Sequence, residues 1–117
     1  MLWDVIYDKL KSEKIAVYLP GQHKGDCTSA YVVVRPSGNN QFMDYSTDVM
    51  YCDVLCYVPI THFSALTPFV ENVKQVLKTL YPQVKDAHME VNGFIDETNN
   101  SYMWSIQYLS YRKFYNS

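Results

Sequence analysis

The chain has 117 residues, of which 48% are hydrophobic and 19% charged, and this composition indicates one globular domain and excludes an intrinsically disordered chain. Ten basic and twelve acidic side chains give a net charge of −2 without a Lys/Arg cluster, so the signature of a nucleic-acid-binding protein is missing. No apolar run approaches the roughly 18 residues that span a membrane, and the opening residues do not resemble a signal peptide. We therefore expect a single domain over residues 1–117, with no membrane partner and no nucleic-acid sequence recognition.

The first third of the chain reads as a helix followed by short strands. Leu2–Ser12 places apolar residues at helical spacing, with an acid in its first turn and two lysines in its last. Ile15–Leu19 is a short β-rich run, Gln22–Thr28 is polar and loop-like, and Ser29–Arg35 alternates as a strand. Residues 36–40, Pro-Ser-Gly-Asn-Asn, predict a turn, after which Gln41–Tyr45 is expected to form a short strand or a bulge.

The most informative segment is the long strand predicted over Thr47–Val58, because both of its faces are apolar. Side chains alternate across a strand. One face carries Met50, Cys52, Val54, Cys56 and Val58, and the other carries Val49, Tyr51, Asp53, Leu55 and Tyr57. A chain this short has few helices with which to cover a sheet, so the pattern predicts that another molecule covers the second face.

The remainder predicts a second helix and a closing hairpin. Ile60–Ala65 connects the long strand to a helix over Phe69–Leu80, which Pro82 ends. Ala87–Ile95 and Ser101–Lys113 then predict two antiparallel strands joined by a turn at residues 96–100. The order α-β-β-β-α-β-β predicts an α+β fold with an antiparallel sheet of four to five strands and both helices packed on one face.

Three cysteines, Cys27, Cys52 and Cys56, are predicted to be free thiols, because the two that share a strand lie roughly 13 Å apart by strand rise. No knuckle-like spacing predicts a zinc site. A Cys27–His23 pair beside Asp26 is conceivable as a nucleophile, but no nucleophile elbow or phosphate-binding glycine loop accompanies it. We therefore predict no enzyme activity, no metal and no cofactor.

Asp53 is the one charged residue in the middle of the second face of the long strand. The sequence leaves two partners open: a residue of the same chain, such as Arg35 or Arg112, or a residue of a neighbouring copy. An interface between copies is predicted on this face, and its expected residues are Tyr31, Val33, Tyr51, Asp53, Leu55 and Tyr57. The two polar loops are expected to contact other partners through His23, Lys24, Asp26, Asn39 and Asn40.

Several local patterns resemble the tail-completion proteins of long-tailed bacteriophages, which include the tail terminators and related minor capsid proteins. The matching pieces are an opening helix with Trp3 and Ile6-Tyr7, the passage Gly25-Asp26-Cys27-Thr28-Ser29-Ala30-Tyr31-Val32-Val33-Val34, the strand end Asp53-Val54-Leu55-Cys56-Tyr57-Val58-Pro59, the helix Phe69–Leu80 and the strand Met103-Trp104-Ser105-Ile106-Gln107-Tyr108. The resemblance spans nearly the whole chain. It implies a non-enzymatic protein that forms a ring, usually hexameric, at the head-proximal end of the tail.

This resemblance further implies three partners: other copies of the chain, the tail tube protein, and the head connector or adaptor. It implies localisation in the virion tail after assembly in the bacterial cytoplasm. Two alternatives stay open at this stage. One is a head–tail adaptor of the same virion, and the other is a small-molecule-binding or enzymatic α+β domain with a tyrosine-lined pocket.

Overall fold

The computed structural model describes residues 2–23, 25–37 and 49–111, and its fold is α+β. Helix α1 (Leu2–Ser12) comes first, followed by the strands β1 (Val17–Tyr18), β2 (Tyr31–Ser37) and β3 (Val49–Pro59). A 3₁₀ segment (Ile60–Ala65) leads directly into helix α2 (Leu66–Lys78). The chain ends in a hairpin of β4 (Lys85–Asp96) and β5 (Ser101–Tyr111). The predicted α-β-β-β-α-β-β order is therefore confirmed.

The described strands form one five-stranded sheet in the order β1-β2-β3-β5-β4. Three of its pairings are antiparallel, and β3 lies at the centre, paired with β2 on one side and β5 on the other. The β1–β2 pairing is parallel, with Val17 opposite Val32, so the expectation of a wholly antiparallel sheet was wrong at this edge. The loop between the two strands is long enough to return the chain to the same end of the sheet, as a parallel pairing requires.

Both helices pack on one face of the sheet, which we call the helix face. Leu2, Ile6 and Leu10 of α1 are buried there, as their spacing predicts. Helix α2 buries Val73 and Leu77 in the same core. The strand residues of this core include Val32, Val34, Cys52, Val54, Cys56, Val58 and Ile106. Residues of α2 therefore share one core with the cysteine-bearing side of β3, and the prediction that both helices pack on one face is confirmed.

Helix α2 begins three residues earlier than the sequence predicts. Its N-cap is Ala65, which makes no side-chain capping bond, and the preceding 3₁₀ segment leads into it directly. The helix ends at Lys78, where the backbone N–H of Thr79 bonds back to Val76 and Leu77. The extra turn buries Leu66 and extends the covered part of the sheet.

Strand β4 is the long edge of the sheet, and it is irregular. Its register against β5 shifts once between Asp86 and Glu90 and again between Val91 and Phe94. His88, within the first shift, has a positive φ of 58°, and its N–H donates to Asp86 Oδ1 at 2.7 Å. Gly93, within the second, has a φ of 70°, which glycine adopts without steric cost. These bulges give the edge an uneven hydrogen-bonding surface, which disfavours simple strand addition.

Candidate functional site

The second face of the sheet is partly covered by the chain itself. A second buried cluster contains Cys27, Tyr31, Leu55, Tyr57 and Met103. Tyr31, Leu55 and Tyr57 are only 3%, 6% and 8% exposed. The apolar pattern of the strand predicts that a neighbouring copy covers these three residues. The structure shows instead that they are already buried within one chain.

The cover includes His23 and Cys27, and we call His23 and residues 25–29 together the cover segment. The His23 ring stacks on the Tyr31 ring with centroids 4.0 Å apart, and Tyr31 stacks on Tyr57 at 4.8 Å. The Tyr18 ring meets the His23 and Tyr31 rings edge-on. Of the residues expected in partner-contact loops, His23 is therefore half-buried against this stack and Asp26 is exposed, whereas Lys24, Asn39 and Asn40 lie outside the described residues.

The tip of the β4–β5 hairpin holds the cover segment in place. The Cys27 N–H donates to the Asn99 carbonyl at 2.7 Å, and Asn99 Nδ2 donates to the Tyr31 hydroxyl at 2.6 Å. The Ser101 hydroxyl donates to Asn99 Oδ1 at 2.6 Å, which fixes the orientation of the amide. Burial, more than any other cause, raises the pKa of Tyr31 above its ordinary value. The hydroxyl therefore remains protonated, and its hydrogen bond with Asn99 joins two neutral groups.

The other part of the second face stays open. Val33, Tyr51 and Asp53, the remaining residues of the predicted interface, are only half-buried. Arg35 Nη2 donates to Asp53 Oδ2 at 2.8 Å, and Gln107 Nε2 lies 3.4 Å from the other oxygen. Of the partners that the sequence left open for Asp53, the structure shows Arg35 of the same chain, and Arg112 lies outside the described residues.

The thiols show no sign of activation. Burial raises the pKa of Cys52 and of Cys56 to about 12, which keeps both protonated in the core. Burial also raises the pKa of Cys27, whose Sγ donates to the Ser29 carbonyl at 3.3 Å, while His23 is stacked on Tyr31. Among the described residues, no group of three or more His, Cys, Asp or Glu side chains could hold a metal ion. The pairing of Cys27 with His23 that the sequence made conceivable is not formed.

Uncovered apolar side chains concentrate on one half of the molecule. In the described part of the chain, the large hydrophobic side chains that are exposed all lie between Ile60 and Tyr111, with none in residues 2–37. Three of them, Met89, Val91 and Ile95, lie on the edge strand β4 and are 62%, 57% and 47% exposed. We call these three residues, which line the edge from both faces, the β4 patch: Met89 and Val91 border the second face, whereas Ile95, paired with Tyr102, borders the helix face. This patch is not among the predicted interface residues, although the apolar residues of the predicted strand Ala87–Ile95 were a usable signal.

A second apolar surface lies near the hairpin end of the helix face. Phe63, in the 3₁₀ segment, is 56% exposed, and its ring lies 4.6 Å from that of Tyr102. Tyr102 is paired with Ile95 across the hairpin, so this surface borders the β4 patch. The Ile60 N–H donates to the Asn100 carbonyl at 3.1 Å, which ties the 3₁₀ segment to the hairpin.

A cleft of about 470 Å³ lies between α2 and β4 on the helix face. Leu77, Val84 and Tyr108 form its buried part, and Tyr81 contributes an exposed ring. The charged and titratable residues around it are Glu71, Lys74, Lys78, Lys85, Asp86 and His88. A shallower cleft of about 320 Å³ on the second face is lined by the polar residues Arg35, Asp53 and Gln107 and by Met89 and Val91 of the β4 patch.

A polar network joins α2 to the edge strand beside the larger cleft. Lys74 Nζ lies 2.9 Å from Glu90 Oε2, and Trp104 Nε1 donates to Glu90 Oε1 at 2.8 Å. Burial acts to raise the pKa of Glu90, but the hydrogen bonds from Lys74 and Trp104 outweigh it and hold the pKa below its ordinary value. Burial likewise acts to lower the pKa of Lys74, and the contact with Glu90 outweighs it, so that pKa is raised.

Comparisons with protein-family models, with curated proteins and with solved structures found no match to this chain. Within the described residues, no helix has the length and apolar character needed to cross a membrane.

Proposed function

We propose that this protein is a non-enzymatic virion-assembly protein of a long-tailed bacteriophage, acting as a tail terminator or completion protein. In this proposal it forms a ring at the head-proximal end of the tail and joins the tail to the head connector. Its partners are other copies of itself, the tail tube protein, and the connector or adaptor protein. It works in the virion after assembly in the bacterial cytoplasm.

The observation that carries the proposal is the one-sided distribution of uncovered apolar side chains. Met89, Val91 and Ile95 stand exposed on one edge of the sheet, whereas the described residues of α1, β1 and β2 expose no large hydrophobic side chain. Large exposed apolar surfaces mark interaction sites, and here three such side chains line one sheet edge, Met89 and Val91 toward the second face and Ile95 toward the helix face. A molecule whose two sides differ in this way suits a heterologous contact, in which one surface meets a different surface of the next copy and the series closes as a ring.

The local sequence patterns that resemble tail-completion proteins support the same proposal. They lie on the central elements of the fold: the entry into β2, the end of β3, helix α2 and most of β5. The ring would stop growth of the tail tube by presenting a surface that a further tube subunit cannot use. This mechanism needs surface complementarity and no reacting group.

A second candidate function is that of a small-molecule-binding domain, and one observation favours it. The cleft between α2 and β4 has two tyrosines in its lining, Tyr81 and Tyr108. Its volume falls in the range of known ligand sites, which is roughly 300–1,000 Å³. A head–tail adaptor remains the alternative within the virion, because it would use the same kinds of surface with different neighbours.

The test is capping of tail tubes. Tubes polymerised from the tail tube protein of the same phage would be mixed with this protein and measured by negative-stain electron microscopy. We expect extra density at one end of each tube and arrest of further growth. Val91→Asp should abolish capping, whereas Asn72→Asp adds the same charge at an exposed position of α2 and should leave capping intact.

Tubes that keep growing without end density would contradict a terminator. Binding to the isolated head connector without binding to tube ends would replace the terminator with the adaptor. Full capping by Val91→Asp would show that the β4 patch is not the surface used.

A further inference from the structure

The cleft between α2 and β4 contains a buried hydroxyl with no partner in the described structure. Tyr108 is 3% exposed and lines the cleft, yet no hydrogen bond from a described residue reaches its hydroxyl group. Two other buried hydroxyls of the sheet do have partners: Tyr31 receives a bond from Asn99, and Ser110 donates to the Gln83 carbonyl. Tyr57, which is 8% exposed and lies on the second face outside the cleft, shares with Tyr108 the lack of a hydrogen-bond partner among the described residues. Because buried hydroxyls are normally paired, Tyr108 marks a place where a bound molecule would supply the missing contact.

We propose that this cleft binds a small, uncharged organic molecule that presents a hydrogen-bond acceptor to the Tyr108 hydroxyl. This site is separate from the assembly surface proposed above and does not depend on it. Its volume of about 470 Å³ exceeds what one inserted side chain would fill and matches a small-molecule site.

The hydroxyl is held in its donor form. Burial raises the pKa of Tyr108, and the nearby Asp86, Cys56 and Glu90 raise it further, so the phenol stays protonated over the physiological range. A protonated phenol that lacks a partner calls for an acceptor on the ligand. The same neighbouring carboxylates make the surroundings of the hydroxyl unfavourable for an anion.

The charges around the cleft are already balanced, which argues against a charged ligand. Lys74 is paired with Glu90, and Lys85 lies 5.8 Å from the Tyr81 ring centroid and 5.0 Å from that of Tyr111. The lining carries three lysines and two carboxylates, Glu71 and Asp86, and the third lysine charge is balanced by Glu90, which lies outside the lining and pairs with Lys74. His88 completes the titratable set and donates its backbone N–H to Asp86 Oδ1. A phosphate or polyanion would therefore find no uncompensated cluster of positive charge.

The ligand body is expected to be largely apolar. Leu77 and Val84 are fully buried beneath the cleft, and the exposed Tyr81 ring provides a flat wall. An aromatic or short aliphatic body would fill this space, and its carbonyl, amide or ether oxygen would accept from Tyr108.

Three probes of similar shape test this chemistry: benzamide, which is neutral and has an acceptor; benzoate, its anionic counterpart; and toluene, which has no acceptor. Binding would be followed by methyl NMR of the full chain at Leu77 and Val84. We expect benzamide to bind with a Kd on the order of 1–10 mM, as its small size dictates. Benzoate and toluene should bind more weakly.

Tyr108→Phe removes the hydroxyl and keeps the ring, so it should weaken benzamide binding roughly 3- to 10-fold, the factor of one net hydrogen bond. It should leave toluene binding unchanged. Tyr102→Phe, whose ring lies against Phe63 outside the cleft, is the matched control and should change neither. Because no described residue pairs with the Tyr108 hydroxyl, Tyr108→Phe should also keep the melting temperature of the wild type.

The proposal would be overturned if the Leu77 and Val84 methyls did not shift at about 20 mM benzamide, a concentration above the expected Kd. Equal benzamide affinity in wild type and Tyr108→Phe, or tighter binding of benzoate than of benzamide, would also overturn it. A clear loss of thermal stability in Tyr108→Phe would overturn it as well, because it would mean that the hydroxyl already has a partner.

Discussion

The covered part of the second face and the β4 edge both carry large apolar side chains, but only the covered part has them buried by this chain. On the second face, Tyr31, Leu55 and Tyr57 are buried beneath the cover segment and against the β5 residue Met103. On the edge, Met89, Val91 and Ile95 remain exposed. An apolar pattern in a strand therefore shows that a surface needs cover, but it does not show whether the cover comes from the same chain.

The same substitution placed on each surface should separate the two, and this is the largest expected effect. Leu55→Asp introduces a carboxylate into a buried cluster, so we expect it to cost more than about 4 kcal/mol of folding free energy or to unfold the protein. Val91→Asp should cost less than about 1 kcal/mol, because its site is exposed. Urea unfolding followed by circular dichroism measures both values. Equal costs would contradict the conclusion that Leu55 is buried by this chain while Val91 is exposed.

The bond between Asn99 and Tyr31 tests how the hairpin tip is tied to β2 beneath the cover segment. Asn99→Ala leaves the Tyr31 hydroxyl buried without its donor, so we expect a loss of about 1–3 kcal/mol. Tyr31→Phe combined with Asn99→Ala forms a double-mutant cycle, which should yield a coupling energy of at least about 0.5 kcal/mol. Asn72→Ala, at an exposed position of α2, is the control. Additive effects in the cycle would mean that the two side chains do not tie the hairpin tip to β2.

The outline of the fold could be read from the sequence because it rests on short-range periodicity. The stripes Leu2-Ile6-Leu10 and Val73-Leu77 fix which side of each helix faces the sheet, and alternation in β3 fixes its two faces. The pairing of Asp53 with a chemically matched partner could also be anticipated, because a carboxylate on an apolar strand face needs one.

What could not be read depends on contacts between distant parts of the chain. The polar run that forms the cover segment offers only Cys27 as an apolar residue, so nothing in it signals burial of the second face. The parallel direction of β1 depends on the path of the following loop. The cleft at Tyr108 exists only because α2 and a bulged β4 stand apart, a spacing that no local pattern encodes.

The smallest expected effect concerns Glu90 of β4, which pairs with Lys74 of α2, and it depends on pH. Because the folded-state pKa of Glu90 lies below its ordinary value, its contribution to stability is present above the unfolded pKa and is lost as the pH falls through the folded pKa. Glu90→Gln should lower stability at pH 7 by about 0.5 kcal/mol, a value that allows for solvent screening of this partly exposed pair, and should flatten the acid side of the stability profile.

Glu97→Gln, in the hairpin turn, removes a similar charge outside this network and should change the profile less. Thermal melts of wild type and both variants between about pH 3 and pH 7, a range that includes the ordinary glutamate pKa, would measure the three stability profiles. An unchanged acid side in Glu90→Gln would show that β4 is not anchored through this pair.

The most direct test of the central claim, that the β4 patch is an assembly surface, is sedimentation velocity across a concentration series, with and without tail tubes. We predict that the wild type and Asn72→Asp form a discrete ring-sized species or co-sediment with tubes, while Val91→Asp remains a folded monomer in both conditions. A Val91→Asp protein that assembles as the wild type does, or a wild type that stays monomeric and leaves the tubes unbound, would contradict the account.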